Sequence, residues 1–116
     1  MEKHVLVVLS NSVEGADDQF NNWYTNTHLG DVLNVPGFVA AQRYKLSGTQ
    51  LGDGATPYGY LALYEVETDD LAATGAGLTG NSDMYIDPAL DRAATVAWFF
   101  TPITARVEAA QPAATR

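Results

Sequence analysis

The chain is organised around residues 20–38, FNNWYTNTHLGDVLNVPGF. The first half of this stretch has helical periodicity, because its larger side chains recur three or four residues apart and so share one helix face. A Pro-Gly pair near its end favours release of the chain into a strand. We predict a helix over residues 16–29, with Gly30 at the left-handed cap position, followed by a strand from Phe38. The shared helix face carries Phe20, Trp23, Tyr24, Thr27 and His28.

The rest of the chain predicts three more strands and one more helix. Residues 3–10 are apolar on both faces after the first residue, which is typical of a central strand. Residues 58–67 alternate in the manner of a strand, residues 95–107 hold another, and Thr68-Asp69-Asp70 is a good cap for a weak helix. The glycine-rich residues 47–57 either connect hairpin strands or cover the mouth of a pocket.

The resulting order is strand, helix, strand, strand, helix, strand. This order predicts an α+β, ferredoxin-like βαββαβ domain with a four-stranded antiparallel sheet. We expect one domain over residues 1–107 and a flexible tail over residues 108–116. Helices cover only one sheet face, and the other face is also rich in apolar residues. A second copy of the chain, packed sheet to sheet as a homodimer, is the simplest cover for it.

Composition excludes several classes of function. The longest apolar run, Val5–Leu9, is far shorter than the roughly 20 residues that span a bilayer, so we expect no membrane partner and a cytoplasmic protein. There is no cysteine, which excludes disulfides and thiolate chemistry. Fourteen acidic residues against six basic ones give a net charge of −8, which argues against nucleic acid as a partner.

One motif resembles a known family. It reads Phe20-x-x-Trp23-Tyr24-x-x-x-His28-Leu29-x-Asp31-Val32-Leu33-x-Val35-Pro36-Gly37-Phe38, followed by Ala41-Gln42-Arg43-Tyr44. The motif resembles the dimeric α+β barrel superfamily and, within it, the EthD-like proteins. The resemblance implies a ligand pocket between helices and sheet, or inside the barrel of a dimer. It also implies that a histidine at the position of His28 acts as an acid or base, since members include cyclases, isomerases, dehydratases and cofactor-free oxygenases.

The residues themselves indicate candidate roles. His28 can take and give a proton near neutral pH, Asp31 can orient it, and Tyr24 can donate to an oxyanion. The alternative is that His28 only caps the end of the helix, where a cation is favoured. Arg43 either binds a substrate carboxylate or forms a structural ion pair with Asp31 or Glu65. The predicted substrate-binding residues, several of which could instead pack in the core, are Trp23, Arg43, Tyr44, Tyr60, Tyr64, Trp98 and Phe100.

These candidates predict a cofactor-independent enzyme that acts on a small hydrophobic, aromatic or polyketide-like molecule. His28 would move a proton next to a carbonyl, giving cyclisation, isomerisation, dehydration or lyase-type cleavage. A non-catalytic dimer that binds such a molecule is the alternative, and a cofactor-free oxygenase is a third hypothesis. We expect no metal, because His4 and His28 lie on separate elements without a carboxylate cluster.

Overall fold

A computed structural model describes residues 1–110, and the last six residues of the predicted tail lie outside the described part. A four-stranded antiparallel sheet carries helices on one face. The ferredoxin-like βαββαβ order is therefore confirmed. The elements are β1 (Lys3–Ser10), α1 (Asp17–Trp23), a π-helical turn (Tyr24–His28), α2 (Leu29–Leu33), β2 (Phe38–Lys45), β3 (Tyr60–Glu67), α3 (Leu71–Thr79), a 3₁₀ turn (Arg92–Ala94) and β4 (Val96–Phe100).

The first helical region is longer than predicted. It does not end at Leu29 with Gly30 as its cap, because the backbone N–H of Asn34 still bonds to the carbonyl of Gly30, at 3.2 Å. The helix ends at Leu33, three residues before Pro36, and the left-handed position is Gly37, with φ of 98°. A Cβ at Gly37 would lie 2.8 Å from Cγ2 of Thr74, so both the backbone and the space there require glycine.

The strand order in the sheet is β2-β3-β1-β4. Leu6 of β1 pairs with Tyr64 of β3 and with Phe99 of β4, and these residues face the helices. A register shift between Phe38 and Ala40 of β2 is a β-bulge, which changes the face of every residue after it. Because of the bulge, Arg43 pairs with Ala62 and lies on the helix side of the sheet.

The core lies between the sheet and the helices. Phe20, Tyr64, Val32 and Val66 are its most completely buried large side chains. Asp70 caps α3 by accepting a hydrogen bond from the N–H of Ala73, at 3.0 Å. The acidic cap predicted for this helix is therefore confirmed. Among residues 1–110, no helix is both long and apolar enough to span a membrane.

The outer sheet face, which no helix covers, is apolar. Val5, Val7 and Leu9 of β1 point to this face between the neighbouring strands. From β4, Trp98 and Phe100 extend onto it with 52% and 53% of their surfaces exposed. An exposed apolar face of this kind is a feature of protein interfaces.

Candidate functional site

A cavity of about 840 Å³ opens between the helix side of the sheet and the segment that follows α3. Its inner wall is formed by Leu6 and Val8 of β1, with Tyr64 of β3 beside them. Tyr24 and His28 reach it from the π turn. The cavity therefore brings together three of the residues that the sequence singled out, in a largely apolar setting.

The π turn places His28. In a regular α-helix, residues five apart point about 140° away from each other, but a π turn closes hydrogen bonds between residues five apart and brings them onto one side. The N–H of Leu29 bonds to the carbonyl of Tyr24 in this way. Trp23 and His28 are consequently stacked, with ring centroids 4.5 Å apart, and the Tyr24 ring meets His28 edge-on at 4.8 Å. The helix continues past His28, so this residue is not a helix cap.

The environment of His28 favours the neutral imidazole. Burial lowers its pKa to about 4, against an ordinary value of 6.5; nearby Asp31 acts in the opposite direction and Arg43 adds to the lowering. Its Nδ1 atom is buried without a hydrogen-bond partner among the described residues. A buried nitrogen that is not paired inside the protein is unusual and is suited to a ligand or water in the cavity.

Two tyrosine hydroxyls lie close together at the cavity wall. The hydroxyl of Tyr64 donates to that of Tyr24 across 3.4 Å. Burial raises the pKa of both phenols, so both stay protonated and can act as donors. The hydroxyl hydrogen of Tyr24 then has no acceptor among residues 1–110 and is available to a ligand oxygen.

Arg43 lies behind Tyr24 and does not line the cavity. Its guanidinium carbon is 4.5 Å from the centroid of the Tyr24 ring, a cation–π contact. It donates to Oγ1 of Thr25 at 2.8 Å and to Oδ1 of Asn21 at 2.9 Å. Within residues 1–110 it makes no ion pair with either predicted partner, so the structural contact is with an aromatic ring and neutral oxygens rather than with a carboxylate.

The structure places the other predicted site residues away from this cavity. Asp31 is half-buried one helical turn after His28 and is not hydrogen-bonded to it. Trp23 is buried behind the imidazole. The Tyr60 hydroxyl donates to Asp17 and accepts from Asn21. The residues on the outer sheet face are Tyr44, Trp98 and Phe100.

The sequence patterns singled out no site residue on the opposite wall of the cavity. This wall comes from residues 78–92, an irregular segment that packs Met84, Ile86 and Leu90 against the core and carries Arg92. The signal available in the sequence was the recurrence of apolar residues within a polar segment, because such side chains need a surface to pack against. The glycine-rich residues 47–57 are exposed and connect β2 to β3, away from the cavity.

Two comparisons with known proteins found no counterpart: no protein-family model and no curated protein matches this chain. Solved structures do match. The heme-degrader MhuD from Mycobacterium tuberculosis, with two hemes bound in its active site, has a TM-score of 0.59 at 15% identity, over 90% of this chain and 99% of that one. This chain has the same ferredoxin-like fold. An EthD-like protein from Ralstonia eutropha has a TM-score of 0.54 at 19% identity, over 91% of this chain and 96% of that one. The predicted resemblance is thus confirmed at the level of the fold.

The described residues contain no cluster for a metal ion: within residues 1–110, no three His, Asp or Glu side chains converge. His4 lies outside the cavity and its Nδ1 is 2.8 Å from Oγ1 of Thr101. At its inner wall the cavity offers one neutral imidazole and the phenols of Tyr24 and Tyr64 in a largely apolar setting. That set can accept a proton and can donate to an oxygen.

Proposed function

We propose that this protein binds a small hydrophobic, aromatic or polyketide-like carbonyl compound in the cavity and moves a proton next to its carbonyl group without a cofactor. The observation that carries the proposal is the buried, unpartnered Nδ1 of His28 at a cavity that also presents the hydroxyls of Tyr24 and Tyr64. An apolar enclosure with a few polar groups at one place is the usual form of a small-molecule site.

In this proposal His28 is the general base. Its lowered pKa keeps the ring neutral at pH 7, so it can take a proton from the carbon next to the carbonyl. The carbonyl oxygen gains the negative charge as the enolate forms, and the Tyr24 hydroxyl donates to it. The charge of Asp31 favours the imidazolium, which then returns the proton to another atom of the ligand. Isomerisation, cyclisation and dehydration all share this first step.

The test is hydrogen–deuterium exchange of the methyl group of acetophenone in D₂O, followed by NMR. We expect the wild-type protein to accelerate exchange and His28→Ala to lose about 10²-fold or more of the acceleration. His4→Gln is the matched control, because it alters the other histidine outside the cavity. Circular dichroism establishes that each variant is folded, and His28→Gln keeps a polar side chain. Equal exchange by wild type, His28→Ala and His28→Gln would contradict the mechanism.

Heme is a second candidate ligand, favoured by the same imidazole. A neutral histidine in an apolar pocket is the usual axial ligand of heme iron, and His28 is the one histidine at this cavity. The heme would supply redox chemistry with oxygen, while His28 would supply a nitrogen ligand to the iron and the apolar walls of the cavity would hold the ring. A titration with hemin distinguishes the heme candidate from the carbonyl compound. Heme binding through His28 requires a shift of the Soret band that saturates at one heme per chain and is absent in His28→Ala.

The other two hypotheses from the sequence remain predictions. A binding protein without catalysis would take up acetophenone without accelerating its exchange. A cofactor-free oxygenase would consume oxygen in the presence of substrate and without added metal or flavin. Measurements of product and of oxygen uptake on the same samples separate these two hypotheses from the proposed proton transfer.

We further propose that the chain forms a homodimer through the outer sheet face. The support is the exposed apolar surface of β1 and β4, centred on Val7 and its paired neighbour Trp98. A second copy would remove this surface from water, which is favourable by roughly 25 cal/mol for each Å² buried. Tyr44 and Phe100 would then lie inside the interface between the two sheets.

A further inference from the structure

The cavity has one uncompensated cationic group at its open side. Of the residues that line the cavity, only Asp83 and Arg92 carry a full charge at neutral pH, because His28 is neutral there. Both charged residues are exposed, as is Tyr85, whereas Tyr24, Tyr64 and His28 lie on the inner wall. The cavity therefore has an inner end for an uncharged oxygen and an outer end that can select a charged group.

The backbone that carries Arg92 is fixed on both sides. Before it, Leu90 forms a β-bridge with Ser12, and the N–H of Asp91 bonds to the carbonyl of Asn11 at 3.0 Å. After it, the hydroxyl of Thr95 donates to the carbonyl of Asp91 at 2.8 Å, where β4 is about to begin. The guanidinium is thus presented from an anchored turn rather than from a free loop, which reduces the entropy lost when it binds a ligand.

The Arg92 side chain has no partner in the part of the chain that the structure describes. Within residues 1–110 its side chain makes neither an ion pair nor a hydrogen bond, although the chain carries a net charge of −8. The other two arginines within residues 1–110 are already engaged, Arg43 with Thr25 and Asn21, and Arg106 with Glu108. The fork of a guanidinium matches the geometry of a carboxylate and can bind it through two hydrogen bonds.

We propose that Arg92 determines ligand specificity by binding a carboxylate at the open side of the cavity, so that the ligand is an aromatic or polyketide-like acid. This inference rests on the proposed function only in taking the cavity as the ligand site. The ligand's carboxylate lies at Arg92 and its phenol or carbonyl oxygen at the hydroxyl of Tyr24. Asp83 acts against this binding as a like charge, and so it keeps the preference moderate.

The test uses a matched pair of fluorescent probes, 6-hydroxy-2-naphthoate and its methyl ester. Each has a phenol at one end, but only the acid is charged at the other. We expect the wild-type protein to bind the acid about fivefold more tightly than the ester, as one partly exposed charged contact would give. The preference should weaken from 20 to 500 mM salt, because an exposed ion pair is screened.

Three variants locate the effect. Arg92→Gln should abolish the preference for the acid and leave the ester's affinity unchanged. Arg106→Gln removes the same charge elsewhere and should keep the preference. Asp83→Asn should increase the preference, since it removes a like charge.

Equal affinities for the two probes in wild-type protein, or a preference that survives Arg92→Gln, would overturn the inference and leave the cavity as a site for neutral ligands. Failure of both probes to bind would overturn the inference together with the proposed function. If the wild-type protein does not accelerate exchange of acetophenone but still prefers the acid probe, the proton-transfer mechanism is overturned and the inference about Arg92 stands.

Discussion

Replacement of His28 by phenylalanine tests whether the imidazole is buried in its neutral form. The ring stacks on Trp23, and burial lowers its pKa to about 4, compared with 6.5 in an unfolded chain. Between these two values the unfolded chain binds more protons than the folded protein. Stability must therefore fall as the pH drops from about 6.5 towards 4. Phenylalanine keeps a similar volume and the aromatic stack but cannot be protonated.

The magnitude follows from the two pKa values. Linkage gives a loss of about 2 kcal/mol between pH 7 and pH 5, and about 3 kcal/mol by pH 4. Urea unfolding of wild type and His28→Phe, followed by tryptophan fluorescence, measures this loss as a difference between the two proteins. The other titrating groups are common to both proteins, so their contributions cancel in the difference. The comparison is best made between pH 7.5 and 5, before most carboxylates titrate.

We expect the stability of His28→Phe to depend less on pH than that of wild type, by about 2 kcal/mol over this range. Parallel pH dependence in the two proteins would refute the reasoning, because His28 would then have a similar pKa folded and unfolded. An NMR titration of the His28 ring gives an independent reading of the same pKa. A value near 6.5 would also remove the argument that His28 is a neutral base.

Three further predictions concern the fold. Gly37→Ala should destabilise the protein by about 2 kcal/mol in urea unfolding, because φ is positive there and the new Cβ would meet Thr74. Gly30→Ala, at an open helical position, should instead stabilise it by about 0.5–1 kcal/mol. Equal effects of the two substitutions would contradict the assignment of Gly37 as the residue that requires glycine. Asp70→Ala should cost about 1 kcal/mol through loss of the helix cap, measured in the same way. Trp98→Lys should give a monomer by light scattering with an unchanged circular dichroism spectrum. A wild-type protein that is already monomeric at micromolar concentration would contradict the proposed dimer.

Residues 20–38, where the first helical region gives way to β2, show which features of the fold the sequence pattern predicts. The periodicity from Phe20 to His28 predicted a helix there, and the structure confirms a helical region with Tyr24 and His28 near each other. It could not predict the π turn, because the pattern of apolar residues is similar in both helix types. That turn brings Trp23 and His28 into a stack, and the helix continues after it to Leu33.

The candidate site was only partly predictable, for a related reason. Arg43 could not be assigned to a sheet face from alternation alone, because a single bulge near Val39 reverses the faces of the strand that follows. Arg92 gave no signal at all, since it belongs to an irregular segment with no periodicity. Its place at the cavity follows from the bridge between Ser12 and Leu90, a contact between residues far apart in the chain.

The sequence by itself determined the order of strands and helices, the apolar character of both sheet faces and the helical segment that carries Tyr24 and His28. These properties depend on residues that are close together in the sequence, so their spacing can be taken directly from it. The tertiary structure alone decided which of the candidate side chains meet at one cavity, the neutral state of His28 and the placement of Arg92. Those properties depend on burial and on contacts between distant residues, and local spacing does not specify either of them.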